Sequence, residues 1–242
     1  MGGLLFEGPI RAEKYVSMIS WGPIPNTHGM TMGEIAQFYN ESLGIGCKLN
    51  VIKMQGWTRD MLWDDTGLVW VAPSTGIPHP LSAVLYSTNA LIGGTTLNMS
   101  DGIGTAFPFE LTAAPFEVNP FEMASQFNTL ELPGVFFRPI FITPNGGPFK
   151  GQFIKGVQEM VTNLREYKPV HTALSLLVQL FRGPYASSLK IADEARFGRV
   201  WGNDDVLKML KNPVNTVESI EATWKNERDI FATQRASALF YE

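Results

Sequence analysis

The stretch Pro25-Asn26-Thr27-His28-Gly29-Met30-Thr31-Met32-Gly33-Glu34 sets a titratable ring and a glycine directly before a helix start. Thr31 and Glu34 have the spacing of a capping box. The hydroxyl takes a free N–H of the first turn and the carboxylate reaches back to the cap. Such an end offers spare N–H groups and partial positive charge to an anionic or hydroxyl-rich ligand. His28 is therefore a candidate substrate contact, although polar residues before helices also serve purely local hydrogen bonding. Two carboxylates stand beside apolar rings: Glu7 between Phe6 and Gly8-Pro9, and Glu110 at the end of Phe107-Pro108-Phe109. Desolvation there raises a carboxyl pKa, as a general acid requires; the plain alternative is a solvated surface glutamate. Gly56-Trp57-Thr58-Arg59-Asp60 offers a ring for stacking and a guanidinium for a carboxylate or hydroxyl. A core tryptophan with a surface arginine is its plain alternative.

Other chemistries lack their signatures. The chain has no P-loop, no Gly-x-Ser-x-Gly elbow and no His-Glu-x-x-His helix. Gly102-Ile103-Gly104 is half a dinucleotide fingerprint without a clear strand–turn–helix around it. His28, His79 and His171 show no metal spacing, and a single cysteine, Cys47, excludes an internal disulfide and a cysteine zinc cluster. No metal and no cofactor are expected. A net charge of −4 without a basic cluster argues against nucleic acid as a partner. No run approaches ~18 uninterrupted apolar residues, so no membrane span is expected.

At 242 residues, 45% hydrophobic and 17% charged, the chain has the composition of a globular protein able to bury a sizeable core. Residues 1–29 read as loop with short extended pieces, including 15–20. A helix follows Thr31, with Ile35, Phe38, Tyr39 and Leu43 at helical spacing and Gly44 as a stop. Cys47, Leu49 and Val51 alternate as in a half-buried strand, which gives Cys47 a buried apolar role. Residues 66–110 read as ordered loops around short strands, with 81–86 a strand or a short helical turn. Val135–Ile142 is an extended segment in which Pro139 argues against a regular central strand. Val157–Val161 is a weaker strand. Pro169–Phe181, 204–211 and 216–231 read as helices. The expected fold is α+β in one domain over 1–242, with short strands and long loops in the N-terminal two thirds and a mostly helical C-terminal third.

Several motifs in this order resemble the NamZ-like exo-β-N-acetylmuramidases. They include Gly2-Gly3 with Phe6-Glu7-Gly8-Pro9, then His28-Gly29-Met30-Thr31 with Gly33-Glu34, and Gly56-Trp57 with Arg59. Thr66-Gly67-Leu68, Trp70-Val71, Pro73-Ser74 and Pro78 follow, then Gly94-Thr95, Gly102, Gly104-Thr105, Pro108-Phe109-Glu110 and Ala114-Pro115. Leu132-Pro133-Gly134-Val135, Phe137-Arg138-Pro139 and Gly156-Val157-Gln158 complete the series. The resemblance implies a second domain that faces a Rossmann-like N-terminal domain across a cleft, with this chain starting near the junction. The N-terminal domain's Glu-His-Gly segment has no counterpart here.

What the resemblance implies for function is release of terminal N-acetylmuramic acid from peptidoglycan fragments. The expected partner is thus an amino-sugar glycan or muropeptide, with a separate N-terminal domain or chain as a further partner, in an exported or cell-envelope setting. Glycoside hydrolysis usually needs two flanking carboxyl groups. Glu110 and Glu7 are the expected catalytic pair, and His28, Trp57, Arg59 and Thr105 the expected substrate contacts. The chain departs from the family where Gly93 replaces an acidic residue and Ile103 an arginine, and where Pro73-Ser74-Thr75-Gly76 replaces Pro-Ser-Pro-Asn. Those departures suit a second expectation, a carbohydrate-binding or interaction domain that has lost its chemistry.

Overall fold

A computed structural model describes every residue except 1, 2, 4, 19 and 96. Gly2 of the Gly2-Gly3 motif and Ile19 of the 15–20 segment therefore lie outside the described residues. Two strands, β1 (Glu7–Ile10) and β2 (Pro25–Thr27), pair antiparallel. Between them Glu13–Tyr15 forms a helical turn, and Ser17 bridges Ser20. Helix α1 (Met32–Ser42) begins on the expected capping box: Glu34 N–H donates to Thr31 Oγ1 at 3.3 Å, and Thr31 N–H to Glu34 Oε2 at 2.7 Å.

The segment around Cys47, Leu49 and Val51 is not a strand, and Cys47 is exposed. Alternation there reflects no sheet partner, because no neighbouring strand supplies hydrogen bonds. Residues 80–93 are also not a strand. They form a full helix, α2 (Pro80–Gly93), whose proline takes the first position, where a missing N–H is harmless. Helices α3 (Pro120–Asn128) and α4 (Pro169–Arg182) start the same way.

Strands β3 (Leu111–Ala114), β4 (Val135–Ile142) and β5 (Ile154–Val161) form an antiparallel sheet in the order β3-β5-β4. β4 is thus an edge strand, which accommodates Pro139, and the segment read as the weaker strand is the centre. The C-terminal third is helical, as expected, with α5 (Glu194–Trp201), α6 (Asp205–Lys211), α7 (Val217–Ala222) and α8 (Lys225–Arg235). The expected single helix over 216–231 is two helices.

The main core packs α2–α7 against the sheet around α4, where Leu174, Leu176 and Leu177 are all fully buried. Each such side chain contributes ~1.5–3 kcal/mol relative to exposure. A smaller core joins the two ends of the chain. Phe38 of α1 meets Phe231 of α8 edge-on at 5.6 Å between centroids, with Phe6, Ile24 and Met30 around them. No helix among the described residues is long and apolar enough to cross a membrane.

Candidate functional site

The expected site residues fall into separate groups. His28, Arg59 and Trp57 gather where α1 meets the segment 240–242. Gly29, at φ +60°, turns the chain so that the carbonyls of His28 and Gly29 point at two guanidinium groups. Arg235 Nη1 donates to His28 O at 2.8 Å, and Arg59 Nη1 to Gly29 O at 2.9 Å. Arg59 is buried and also forms an ion pair with both oxygens of Glu34, while its Nε and Nη2 donate to Tyr241 O. Its donors are engaged inside the protein, so the geometry makes it a clamp rather than a contact for ligand. Burial opposes charge on Glu34, but hydrogen bonds from Arg59, Thr31 N and Phe240 N hold its carboxyl below the ordinary value.

His28 accepts from Met30 N–H at Nδ1, 3.2 Å away. Burial, with Arg235 nearby, lowers its pKa, so the neutral ring carries its proton on Nε2. Trp57 is half-buried and packs edge-on against Tyr241, 4.8 Å between centroids.

Glu110 belongs to a second group. It stands just before β3, 5% exposed, and its Oε2 accepts from Gln158 Nε2 at 2.9 Å. Arg138 on β4 in turn donates to Gln158 Oε1, which fixes the amide orientation. Oε1 lies 3.0 Å from His79 Nε2, but the approach lacks hydrogen-bond alignment and leaves this buried oxygen without an in-line donor. His79 caps α2: its Nδ1 accepts from Ser82 N–H at 3.2 Å, so the partner network puts the ring proton on Nε2, the atom nearest Glu110.

Thr105 lies on the loop that leads back to Glu110. Its hydroxyl donates to Gly102 O at 2.7 Å and accepts from Phe107 N–H at 2.9 Å, which shapes that loop from within.

Behind Glu110 runs a buried polar network. Glu159 N–H donates to Glu110 O at 2.8 Å. The Glu159 carboxylate accepts from Asn89 Nδ2 and from Tyr167 Oη, both at 2.6 Å. Tyr167 also bonds Thr88, and Thr112 donates to Asn89 Oδ1 at 3.2 Å. Burial pushes the Glu159 carboxyl up to about 7 and raises the Tyr167 hydroxyl well above its ordinary value.

Glu7 does not share a partner with Glu110. It is buried on β1, and its Oε2 accepts from Val170 N–H at the start of α4, 3.1 Å away. Burial raises its pKa to about 7 against the lowering effect of that bond. Its charge nonetheless acts on Tyr167, a member of the network behind Glu110.

Asp101 shares a loop with Glu110. Ser100 pairs with Ala113, so Asp101 and Glu110 lie at the two feet of one loop. Its Oδ1 accepts from Ile103 N–H at 3.1 Å, and burial raises its pKa. A Cβ on Gly93 would lie 2.7 Å from Asp101 Cβ and 3.0 Å from Oδ2. The Asp101 carboxylate therefore occupies the space beside Gly93, where the resemblance expects an acidic side chain.

Sequence reasoning missed Asp101, His79, Asn89, Glu159 and Tyr167. Gln158 and Arg138 sat inside quoted motifs without a role. The one available signal for His79 was its place before Pro80, a cap position more often filled by Ser, Thr, Asp or Asn. Among the described residues, no group of three or more His, Cys, Asp or Glu is arranged to hold a metal ion.

Around Glu110 the fold thus gathers a buried carboxylate fixed by one amide, with an imidazole beside it. Comparison with known proteins identifies the family. The model described as exo-beta-N-acetylmuramidase NamZ, C-terminal, matches residues 84–241, and its N-terminal counterpart matches residues 1–81. The chain belongs to the NamZ exo-β-N-acetylmuramidase family. It is 36% identical over 240 residues to the peptidoglycan beta-N-acetylmuramidase NamZ of Bacillus subtilis, covering 99% of this chain and 57% of that protein. The chain thus spans little more than half the length of that relative. A crystal structure of a DUF1343 family protein from Bacteroides fragilis is similar over 100% of this chain and 64% of its own, with a TM-score of 0.88 and 30% identity. A second DUF1343 family protein of that organism has the same coverage, with a TM-score of 0.70 and 22% identity, and supports the fold alone.

Proposed function

We propose that this chain forms one wall of a muramidase-type cleft and that Glu110 is its principal acid–base group toward an amino-sugar glycan. The observation that carries this reading is the buried Glu110 Oε1, left without an in-line donor while Oε2 is fixed by Gln158. One oxygen is held by Gln158 and the other lies 3.0 Å from His79 Nε2, a carboxyl–imidazole pair of the kind that serves acid–base chemistry. Gln158 orients Glu110. Asp101, at the other foot of the same loop, is the better second carboxylate, and Glu7 supports α4. Leu68, Val69 and Val71 are 64%, 86% and 80% exposed, an apolar face that suits packing against a further domain.

A chromogenic N-acetylmuramic acid glycoside tests the reading on the full chain and its Glu110→Gln and Asp101→Asn variants. Turnover that falls by about 100-fold or more in Glu110→Gln supports it, and turnover unchanged in that variant refutes it. Gly93 and Ile103 favour a second reading in which the chain binds the glycan without cleaving it. Muropeptide binding by the wild type without release of reducing sugar is its signature.

A further inference from the structure

The loop that joins β4 to β5 opens with Thr143-Pro144-Asn145-Gly146-Gly147-Pro148, and Asn145 is the one asparagine of the chain that a glycine follows. We propose that Asn145 is a site of spontaneous covalent modification. Its carboxamide is lost as ammonia through a cyclic imide with Gly146, and water leaves aspartate or isoaspartate in its place.

The step needs only the chain and a water molecule. The Gly146 nitrogen attacks Asn145 Cγ and a C–N bond forms. The carboxamide nitrogen leaves as ammonia, carrying the proton that the Gly146 N–H gives up. Water then opens the imide at either carbonyl. Opening at the side-chain carbonyl gives aspartate with the main chain intact. Opening at the main-chain carbonyl gives isoaspartate, whose backbone runs through the former side chain.

The fold leaves this route open. Asn145 is exposed on a bend, and neither its carboxamide nor the Gly146 N–H has a hydrogen-bond partner among the described residues. The loop is held beside them instead: Asn145 N–H donates to Gly104 O at 2.7 Å, and Gly151 N–H to Pro144 O at 2.9 Å. Gly146 has no Cβ to obstruct its nitrogen, and its backbone turns freely.

Asp101-Gly102 meets the same sequence rule, and the fold closes it. Asp101 Oδ1 accepts from Ile103 N–H at 3.1 Å, and Gly102 N–H donates to Ser100 Oγ at 3.2 Å. The attacking nitrogen and the attacked carboxyl are both in use. Asn119 and Asn212 precede prolines, which carry no N–H. Asn163 and Asn203 hold their side-chain oxygens on the N–H groups of Arg165 and Asp205.

The consequence falls on the loop before Glu110. A Cβ on Gly104 would run into the Gly146 carbonyl, so the segment after Asn145 rests directly on the backbone of Gly104. Conversion adds a negative charge there, and the isoaspartate form lengthens the main chain at that contact.

The test incubates the full native chain at mildly alkaline pH and maps its peptides by mass spectrometry, with an isoaspartyl methyltransferase assay for the rearranged form. The peptide holding Asn145 gains the mass of an amide-to-acid exchange before any other asparagine does, and accepts methyl groups, while Asp101 stays unrearranged. Gly146→Ala slows the conversion several-fold. A Cβ at that position meets nothing nearer than Gly104 Cα at 3.7 Å, so the fold accommodates it. Asn145→Gln, whose longer side chain closes the ring far more slowly, removes the first modification altogether. Retention of the Asn145 carboxamide in the native chain over a time in which the denatured chain converts overturns the proposal. So does earlier conversion of another asparagine, or an equal rate in Gly146→Ala.

Discussion

Replacing Arg59 by methionine removes the cation from a pair whose side chains are 5% and 0% exposed. The variant keeps most of the aliphatic volume but leaves the Glu34 carboxylate buried and facing only the N–H groups of Thr31 and Phe240, at 2.7 and 2.8 Å. Removing one partner of a buried ion pair typically costs ~3–5 kcal/mol. The two remaining donors place the cost at the lower end, about 3 kcal/mol, against a total stability of ~5–15 kcal/mol. For a chain of this size that lowers the melting temperature by roughly 6–12 °C. Urea unfolding followed by fluorescence gives the free energy, and differential scanning fluorimetry the midpoint. Adding Glu34→Gln to the variant recovers part of the loss, because no unpaired charge is left buried. Glu34's carboxyl is held below the usual 4.5 in the folded state, so the pair's contribution is present above that pH and fades as pH falls through the lowered value. Loss below about 1 kcal/mol in the single variant, or strict additivity in the double, refutes the clamp.

The sign reverses at Glu7, whose carboxyl is raised from 4.5 to about 7. Its contribution is fully present below pH 4.5 and is lost as pH rises through 7, about 3 kcal/mol in all, so Glu7→Gln flattens the stability–pH curve in that window. A wild-type and variant difference that does not change with pH contradicts this. Cys47 is exposed, so one thiol per chain reacts with a disulfide reagent in the native protein; a requirement for denaturant contradicts the structure. Gly93→Glu costs about 1–3 kcal/mol through its clash with Asp101, and Gly93→Glu with Asp101→Gly recovers most of it, as measured by urea unfolding. Equal destabilisation in the single and double variants removes Asp101 from that space.

The parts of the fold written in local chemistry were legible. Thr31 and Glu34 announce α1, and the apolar spacing of Val170, Ala173, Leu174 and Leu177 announces α4, because capping and periodicity act within a few residues. The segment from Cys47 to Val51 misled for the converse reason: alternation marks a strand only when another strand lies alongside. Residues 80–93 hid a helix because serine, threonine and asparagine there read as loop residues, whereas Ser82, Thr88 and Asn89 are buried and Thr88 and Asn89 face a polar network. The site was legible one residue at a time. Glu110 stood out as a candidate from its aromatic neighbours, but the residues the fold sets beside it, His79, Arg138 and Gln158, come from distant positions that only the folded chain brings together. Arg59 and Glu34 carried visible charge, yet nothing local said that they would choose each other.

The tail clasp has a mechanical consequence. Arg59 N–H donates to Glu242 O at 2.8 Å, Phe240 N–H to Glu34 Oε1 and Arg235 to His28 O, while Phe231 packs on Phe38. Residues 231–242 are thereby stitched into the segment matched by the N-terminal family model. The boundary near residue 82 is accordingly no place to cut: a cut there would part Phe6 and Phe38 from Phe231 and Arg235. The molecule is fastened like a belt, with its buckle at the two ends of the chain and the helices around α4 held inside the loop.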